Sequence, residues 1–106
     1  MAYQATKQAT GAEVEERIKN NEEVNIIDVR EDVEWISGHI PQAKHIPLGQ
    51  LLQRLDELDK NKEYIMVCAG GNRSSLACEF LSERGYDVTN LIGGMSRWRG
   101  EVATGR

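Results

Sequence analysis

Apolar residues along the chain fall either in short continuous runs or at positions three and four residues apart. Runs rich in β-branched residues are typical of buried strands, whereas the wider spacing is typical of helices that pack on one face. The runs predict strands at residues 24–29, 43–46, 64–67 and 88–91. Because helical patterns separate these runs, we expect an α/β fold: a mostly parallel central sheet of about five strands, with helices on both faces.

Three segments have helical spacing. Thr10 and Glu13 have the spacing of a capping box, and the helix that follows presents Val14 and Ile18 on one face. In a second segment, four leucines predict an amphipathic helix, namely Leu51, Leu52, Leu55 and Leu58. In a third, which follows strand 64–67 and a glycine-bearing loop, four apolar residues are expected to face the core: Leu76, Ala77, Phe80 and Leu81.

The composition of the 106 residues is that of an ordinary globular protein. Hydrophobic residues make up 40% and charged residues 28%, which excludes collagen-like and disordered classes, and we expect a single domain over residues 1–106. No apolar run approaches the ~20 residues of a membrane helix, and we see no signal peptide, so no membrane partner is expected. The formal net charge is −4 and the 13 Lys and Arg residues are scattered, which argues against nucleic acid as a partner.

Two cysteines ten residues apart, Cys68 and Cys78, form neither a CxxC motif nor a disulfide framework. This usage indicates a cytoplasmic protein, since a reducing compartment keeps thiols free. Cys68 stands directly after strand 64–67, and parallel sheets form their binding sites beyond the carboxyl ends of their strands. Cys78 lies on the following helix, where we expect a buried core residue; a resolving thiol is the alternative.

The loop from Cys68 to Arg73 has the composition of an anion-binding cradle. Gly70 and Gly71 permit backbone angles that let successive amides point inward, and the next helix adds its N-terminal amides and its dipole. These groups would stabilise a thiolate on Cys68, and Arg73 could hold a bound oxyanion in bidentate fashion. The alternative is a structural cysteine followed by a glycine turn, which is the common fate of a free cysteine.

Further polar residues are expected near this edge of the sheet. Asp28 and Arg30 stand at the end of strand 24–29, so the parallel sheet brings a thiol, an acid and two arginines to one edge. Two histidines, His39 and His45, lack a third ligand at suitable spacing, and we therefore expect no metal.

Three motifs that follow one another along nearly the whole chain resemble those of the rhodanese-like domain family, a family of single-domain sulfurtransferases. The segments D-V-R-E at 28–31 and G-H-I-P-Q-A at 38–43 are similar to its first signature. The segment C-A-G-G-N-R-S at 68–74 is similar to its active-site loop C-x-x-G-x-R-[SA], and G-G-M-S-R-W at 93–98 to its closing motif. The resemblance implies a sulfurtransferase in which Cys68 carries a persulfide between two half-reactions, with no metal or organic cofactor.

The resemblance also implies roles for individual residues. Backbone amides of the loop would hold the anionic sulfur, and Arg73 would orient the incoming group; the loop residues after the cysteine are Ala69, Gly70, Gly71, Asn72, Arg73 and Ser74. Ser74 could donate to the sulfur, or it could only satisfy the first turn of its helix. Asp28 and Arg30 would support the loop through hydrogen bonds and charge, with a local ion pair as the alternative.

Two residues that depart from the family's motifs, and the length of the loop from Cys68 to Arg73, bear on the substrate and on rival functions. Ala69 stands where many thiosulfate-using members have a basic residue, which favours a persulfide or a protein partner over thiosulfate as the donor; the acceptor would be a thiol or cyanide. Gln42 stands where the family usually has Gly, a change expected to alter only the turn.

Cysteine phosphatases and arsenate reductases need a C-x5-R loop, one residue longer than this C-x4-R loop. A non-catalytic rhodanese-like binding module is the other alternative, but such units generally lack the cysteine.

Overall fold

A computed structural model describes residues 7–106 and has an entirely parallel sheet of five strands in the order β1-β5-β4-β2-β3. The α/β fold expected from the sequence is confirmed. The strands are β1 (Lys7–Ala9), β2 (Asn25–Asp28), β3 (Ala43–His45), β4 (Glu63–Val67) and β5 (Asp87–Leu91). The α-helices are α1 (Gly11–Lys19), α2 (Asp32–Ser37) and α3 (Asn72–Glu83), and 3-10 segments occupy Leu48–Gln50, Leu52–Glu57 and Gly94–Arg97.

Helices cover both faces of the sheet, and each face has its own hydrophobic core. Side chains alternate along a strand, so Ile65 and Val67 of β4 pack on the face where α1 buries Val14. Met66, together with Cys68 just beyond the strand, packs on the opposite face, which α3 covers with its small and apolar side chains Ala77, Cys78 and Leu81. The alternation of β4 therefore directs the Cys68 side chain toward α3.

Two short elements were not predicted. Strand β1 pairs in parallel with β5, from Lys7 opposite Thr89 to Ala9 opposite Leu91, and it forms one edge of the sheet. Its three residues are mostly polar and exposed, so only the tertiary partner identifies it as a strand. Helix α2 has no fully buried residue, and therefore no apolar stripe in the sequence marks it.

The leucine-rich segment after β3 is not an α-helix, and this prediction was wrong. It forms two short 3-10 segments with a kink at Arg54, whose φ of −118° is non-helical. Leu51 and Leu58 are buried, but Leu52 is 62% exposed, since three residues per turn distribute side chains differently from an α-helix.

A second correction concerns the face that α3 turns toward the sheet. Leu76, expected to face the core, is 57% exposed, whereas Ala77 and Leu81 are buried as expected. The buried stripe of the helix begins with Ser74, a polar residue, and Leu76 lies outside that stripe. No helix within residues 7–106 is long and apolar enough to cross a membrane.

Candidate active site

The loop between β4 and α3 surrounds the sulfur of Cys68 with hydrogen-bond donors. The amide of Gly71 donates to Sγ over 3.0 Å, and the hydroxyl oxygen of Ser74 lies 3.2 Å from Sγ. Cys68 itself is only 1% exposed, so these contacts are made in a site with little water. Such a site can hold a negative sulfur by converging amides rather than by solvent.

The carbonyl groups of the same loop are directed away from the sulfur. Met95 donates its amide to the carbonyl of Cys68 over 2.8 Å, and Ser96 donates both its amide and its hydroxyl to the carbonyl of Ala69 over 2.9 and 2.8 Å. The 3-10 segment Gly94–Arg97 thus takes up two acceptors at the start of the loop. This leaves the donors of the following residues free to face Sγ.

Two glycines are required for this arrangement. Gly94 has a φ of +53°, and a Cβ at this position would overlap the carbonyl oxygen of Cys68. Gly71 precedes α3 with a φ of +105°, a backbone angle that side chains resist. Gly70, expected from the sequence to need similar freedom, does not: its φ lies outside that region and a Cβ there would meet no atom within 4 Å.

The environment of Cys68 favours its thiolate. Burial raises the pKa of the thiol, but the hydroxyl of Ser74 and the backbone amides of Ser74, Gly71 and Gly70 lower it. The hydrogen bonds outweigh burial, and the pKa of Cys68 lies below its ordinary value. The expected stabilisation of a thiolate by the loop therefore has a geometric basis in named donors.

Arg73 is anchored at the rim of the loop by a carboxylate that the sequence analysis missed. Its guanidinium donates to both carboxylate oxygens of Glu34 on α2, over 2.7 and 2.8 Å. The hydrogen bond from Arg73 lowers the pKa of Glu34 to about 2, although partial burial opposes this shift. The anionic sulfur of Cys68 in turn contributes to raising the pKa of Arg73, after the larger effect of Glu34. Glu34 also accepts from the backbone of Glu31 at the start of α2, and a carboxylate three residues after an N-cap was the available sequence signal.

Asp28 and Arg30 form a buried ion pair at the end of β2. The Arg30 guanidinium lies 2.8 Å from the Asp28 carboxylate and donates to the carbonyl of Gly38 over 2.6 Å. The pair thereby connects the end of β2 to the end of α2, the helix that carries Glu34. Among the described residues, no hydrogen bond joins Asp28 or Arg30 to the loop at 68–74, so the local ion pair that was the alternative for these residues is present.

Ser74 has a further partner that sequence analysis did not single out. Its hydroxyl donates to the side-chain oxygen of Asn90 on β5 over 2.5 Å, and the amide nitrogen of Asn90 lies 3.5 Å from the carbonyl of Gly71. Both Ser74 and Asn90 are buried. An amide within a mostly buried strand was the sequence signal for this residue, since Asn is depleted in strands.

Cys78 and the two histidines lie in other surroundings. Cys78 is fully buried in the core between α3 and the sheet; burial raises its pKa to about 12, and the nearby Cys68 adds to the effect. His39 donates from Nδ1 to the carbonyl of Trp35, and His45 donates from Nε2 to the carbonyl of Arg30, each over 2.7 Å. Within the part of the chain that the structure describes, no group of three or more His, Cys, Asp or Glu side chains is placed to hold a metal ion.

The chain is similar to a family model, to named bacterial proteins and to a solved structure. The family model described as "Rhodanese-like domain" matches residues 10–101. A Bacillus subtilis protein named "Putative sulfurtransferase YtwF" is 44% identical over 96 residues, covering 91% of this chain and 93% of its own. "Putative sulfur carrier protein YrkF" of the same organism is 38% identical over 88 residues, covering 82% of this chain and 48% of its own. The crystal structure of a rhodanese-like domain protein from Staphylococcus aureus has a TM-score of 0.90 at 37% identity, covering 95% of this chain and all of the other.

Proposed function

Because the chain belongs to the rhodanese-like domain family, we propose that it is a sulfurtransferase that carries a sulfane sulfur as a persulfide on Cys68. The observation that carries this proposal is the convergence of donors on one sulfur atom. Gly71 and Ser74 reach Sγ at 3.0 and 3.2 Å, and the donors together hold the pKa of Cys68 below its ordinary value. The sulfurtransferase names of its relatives support the same reaction class.

In the first half-reaction, the thiolate of Cys68 attacks the outer sulfur of the donor. A bond forms between Sγ and that sulfur as the sulfur–sulfur bond of the donor breaks, and the electron pair leaves with sulfite or with the donor thiolate. Since an S–S bond extends about 2 Å, the added sulfur reaches beyond the nearly covered Sγ. It carries the negative charge, and loop amides 69–74 are the groups that hold it.

In the second half-reaction, an acceptor thiolate or cyanide attacks the terminal sulfur of the persulfide. The bond to Sγ breaks, its electron pair returns to Cys68, and the lowered pKa of that thiol makes it a better leaving group. Arg73, fixed by its two hydrogen bonds to Glu34, presents a positive charge at the rim that orients an anionic donor or acceptor.

The donor is a persulfide or a protein partner rather than thiosulfate. Ala69 offers no cation where a basic residue would contact a sulfonate, which weakens the binding of thiosulfate. The relative named as a sulfur carrier, of which this chain spans about half, supports exchange with a protein thiol. The reaction belongs in the cytoplasm, since both cysteines are free and a reducing compartment keeps them so.

Intact-mass measurement tests the proposal directly. The purified protein is incubated with glutathione persulfide or with thiosulfate, and then with cyanide. We expect a gain of one sulfur atom that cyanide removes, greater with the persulfide, present in Cys78→Ser and missing in Cys68→Ser. A protein that gains no sulfur from either donor would instead be a non-catalytic binding module.

A further inference from the structure

Four groups around Cys68 form a closed ring of hydrogen bonds. The amide of Gly71 donates to Sγ over 3.0 Å, and the carbonyl of Gly71 faces the side-chain nitrogen of Asn90 at 3.5 Å. The side-chain oxygen of Asn90 accepts from the Ser74 hydroxyl over 2.5 Å, and that hydroxyl lies 3.2 Å from Sγ. Asn90 is therefore joined to the sulfur both through Ser74 and through Gly71.

The Ser74 hydroxyl has too few protons to satisfy both of its acceptors in this ring at once. A serine hydroxyl has one proton to donate, and here two acceptors compete for it: the Asn90 oxygen and the Cys68 sulfur. While Cys68 is a thiol, its S–H can donate to the Ser74 oxygen, and Ser74 gives its own proton to Asn90. Every polar group in the ring then has a partner.

Ionisation of Cys68 breaks this pattern. A thiolate has no proton, so lone pairs of sulfur and of the Ser74 oxygen would face each other unless the hydroxyl turns toward the sulfur. Once it turns, the Asn90 oxygen has lost its donor, in a place where Ser74 and Asn90 are both buried. Ionisation of Cys68 therefore exchanges the hydrogen bond from Ser74 to Asn90 for one from Ser74 to the sulfur. Because a buried acceptor without a partner is costly, the loss at Asn90 opposes ionisation.

We propose that Asn90 is a positioning residue for the reaction of Cys68, and that it acts by withholding the Ser74 proton from the sulfur until the thiolate forms. The proposal rests on the function proposed above, because its benefit lies in sulfur transfer. A thiolate that is stabilised too strongly becomes a weaker nucleophile, and the best attacking thiol has a pKa near the ambient pH. Asn90 limits how far the donors around Cys68 can stabilise its anion.

A neutral substitution at position 90 leaves the charges around the sulfur unchanged. The groups coupled electrostatically to Cys68 or to Arg73 are Arg73 itself, Glu34, Glu31 and Cys78. On the sheet, Asn90 lies between Met66 of β4 and Gln8 of β1, which are uncharged. A shift in the titration of Cys68 after such a substitution therefore reports the hydrogen-bond ring.

The test measures the rate of alkylation of Cys68 against pH, with the modified site located by mass spectrometry. Asn90→Leu, which keeps the branching at Cγ but cannot hydrogen bond, should lower the midpoint by about 0.5–1 pH unit, a roughly three- to tenfold rise in the ratio of thiolate to thiol at a given pH. The rate constant of the fully formed thiolate should fall about two- to threefold, as its nucleophilicity falls with its pKa. Asn90→Ala should shift the midpoint in the same direction, and it serves where leucine disturbs packing.

The control is the Ser74→Ala background. There the hydroxyl is missing and only the long contact of Asn90 with Gly71 remains, so Asn90→Leu and Asn90→Ala should shift the midpoint much less than they do in the wild-type protein. Two results would overturn the proposal: an unmoved or raised midpoint when Asn90 is replaced in the otherwise wild-type protein, or an equal shift in the wild-type and Ser74→Ala backgrounds. Failure of the proposed function is separable: the wild-type protein would then take up no sulfur in the intact-mass experiment, whatever Asn90 does to the titration.

Discussion

The two cysteines of this chain are almost equally buried, but their pKa values are shifted in opposite directions. Cys68 is 1% exposed and Cys78 0% exposed, and both belong to the same hydrophobic core. Yet the pKa of Cys68 lies below its ordinary value, whereas the pKa of Cys78 is raised to about 12. Exposure therefore does not distinguish the more acidic thiol from the less acidic one in this fold.

The difference lies in the backbone next to each sulfur. Cys78 sits in the middle of α3, where backbone amides are already bonded to carbonyls one turn earlier, so burial acts on its thiol without compensation. Cys68 sits where a strand ends and a helix has not yet begun, and the amides of that interval have no helical partner. The sulfur of Cys68 becomes their acceptor.

The largest expected effect comes from replacing each thiol by a hydroxyl, which does not ionise near neutral pH. Cys68→Ser should lower sulfur transfer at least about 1,000-fold, the scale on which loss of a nucleophile acts. Cys78→Ser should keep activity within about twofold, because a serine within a helix can bond the carbonyl one turn earlier. Steady-state transfer to cyanide measures both. Inactivity of the Cys78 variant alone would reverse the assignment of the two residues.

The next effect compares the two thiols within one protein. Alkylation of the folded protein should modify Cys68 at least about 100-fold faster than Cys78 at pH 7, with a midpoint for Cys68 below the ~8.5 of a free cysteine. Peptide mapping of partly alkylated samples gives both rates. Equal rates, or a midpoint at or above the free value, would contradict the convergence of donors on Cys68.

A smaller effect is expected from disturbing the support of the loop without touching the thiol. Gly94→Ala places a Cβ against the Cys68 carbonyl at a left-handed φ, and it should lower the free energy of unfolding by about 2 kcal/mol. It should also raise the alkylation midpoint of Cys68, because the carbonyl can no longer stay turned away.

Gly70→Ala, in the loop that the segment Gly94–Arg97 contacts, is the matched control. A Cβ at Gly70 meets no atom within 4 Å, so stability and midpoint should both remain close to wild type. Chemical denaturation and the alkylation profile measure the two quantities for each variant. Similar losses in both variants would mean that an added methyl group is as harmful at Gly70 as at Gly94, and that the contact of Gly94 with the Cys68 carbonyl has no special part.

The smallest effect concerns the charge pair beside Cys68. Glu34→Gln should lower the free energy of unfolding by about 1 kcal/mol at pH 7, as expected for a partly exposed bidentate pair. The pKa of Glu34 falls from 4.5 to about 2 on folding, so the pair contributes fully above pH 4.5 and loses its contribution as the pH falls toward 2. The stability difference between variant and wild type should therefore be flat from pH 7 to 5 and shrink below that. A difference that grows on acidification would contradict the assigned pair.

Local patterns were enough to predict the elements whose signals are local. The buried strands, the capping box at Thr10 and Glu13 and the buried position of Cys78 all follow from periodicity and residue type, and the structure confirms them. The donor loop after Cys68 was predicted from two glycines and a helix start, although only Gly71 of that pair has a left-handed φ.

Features that depend on partners distant in sequence were not predictable. Glu34 meets Arg73 from 39 residues away, and Asn90 meets Ser74 from 16 residues away. Helix α3 turns Ser74 toward the sheet and leaves Leu76 exposed, an orientation that apolar periodicity does not express. No single segment contains the information that fixes these contacts.

The segment Gly94–Arg97, whose donors fix the carbonyls of Cys68 and Ala69, is synthesised after the cysteine that it supports. A ribosome adding about 5–20 residues per second makes Cys68 roughly one to five seconds before it makes Met95. Until Met95, Ser96 and the strand β5 have been added and docked, the carbonyls of Cys68 and Ala69 lack the donors that fix them. The loop geometry that lowers the pKa of Cys68 is therefore complete only when the last part of the sheet has been made and has docked.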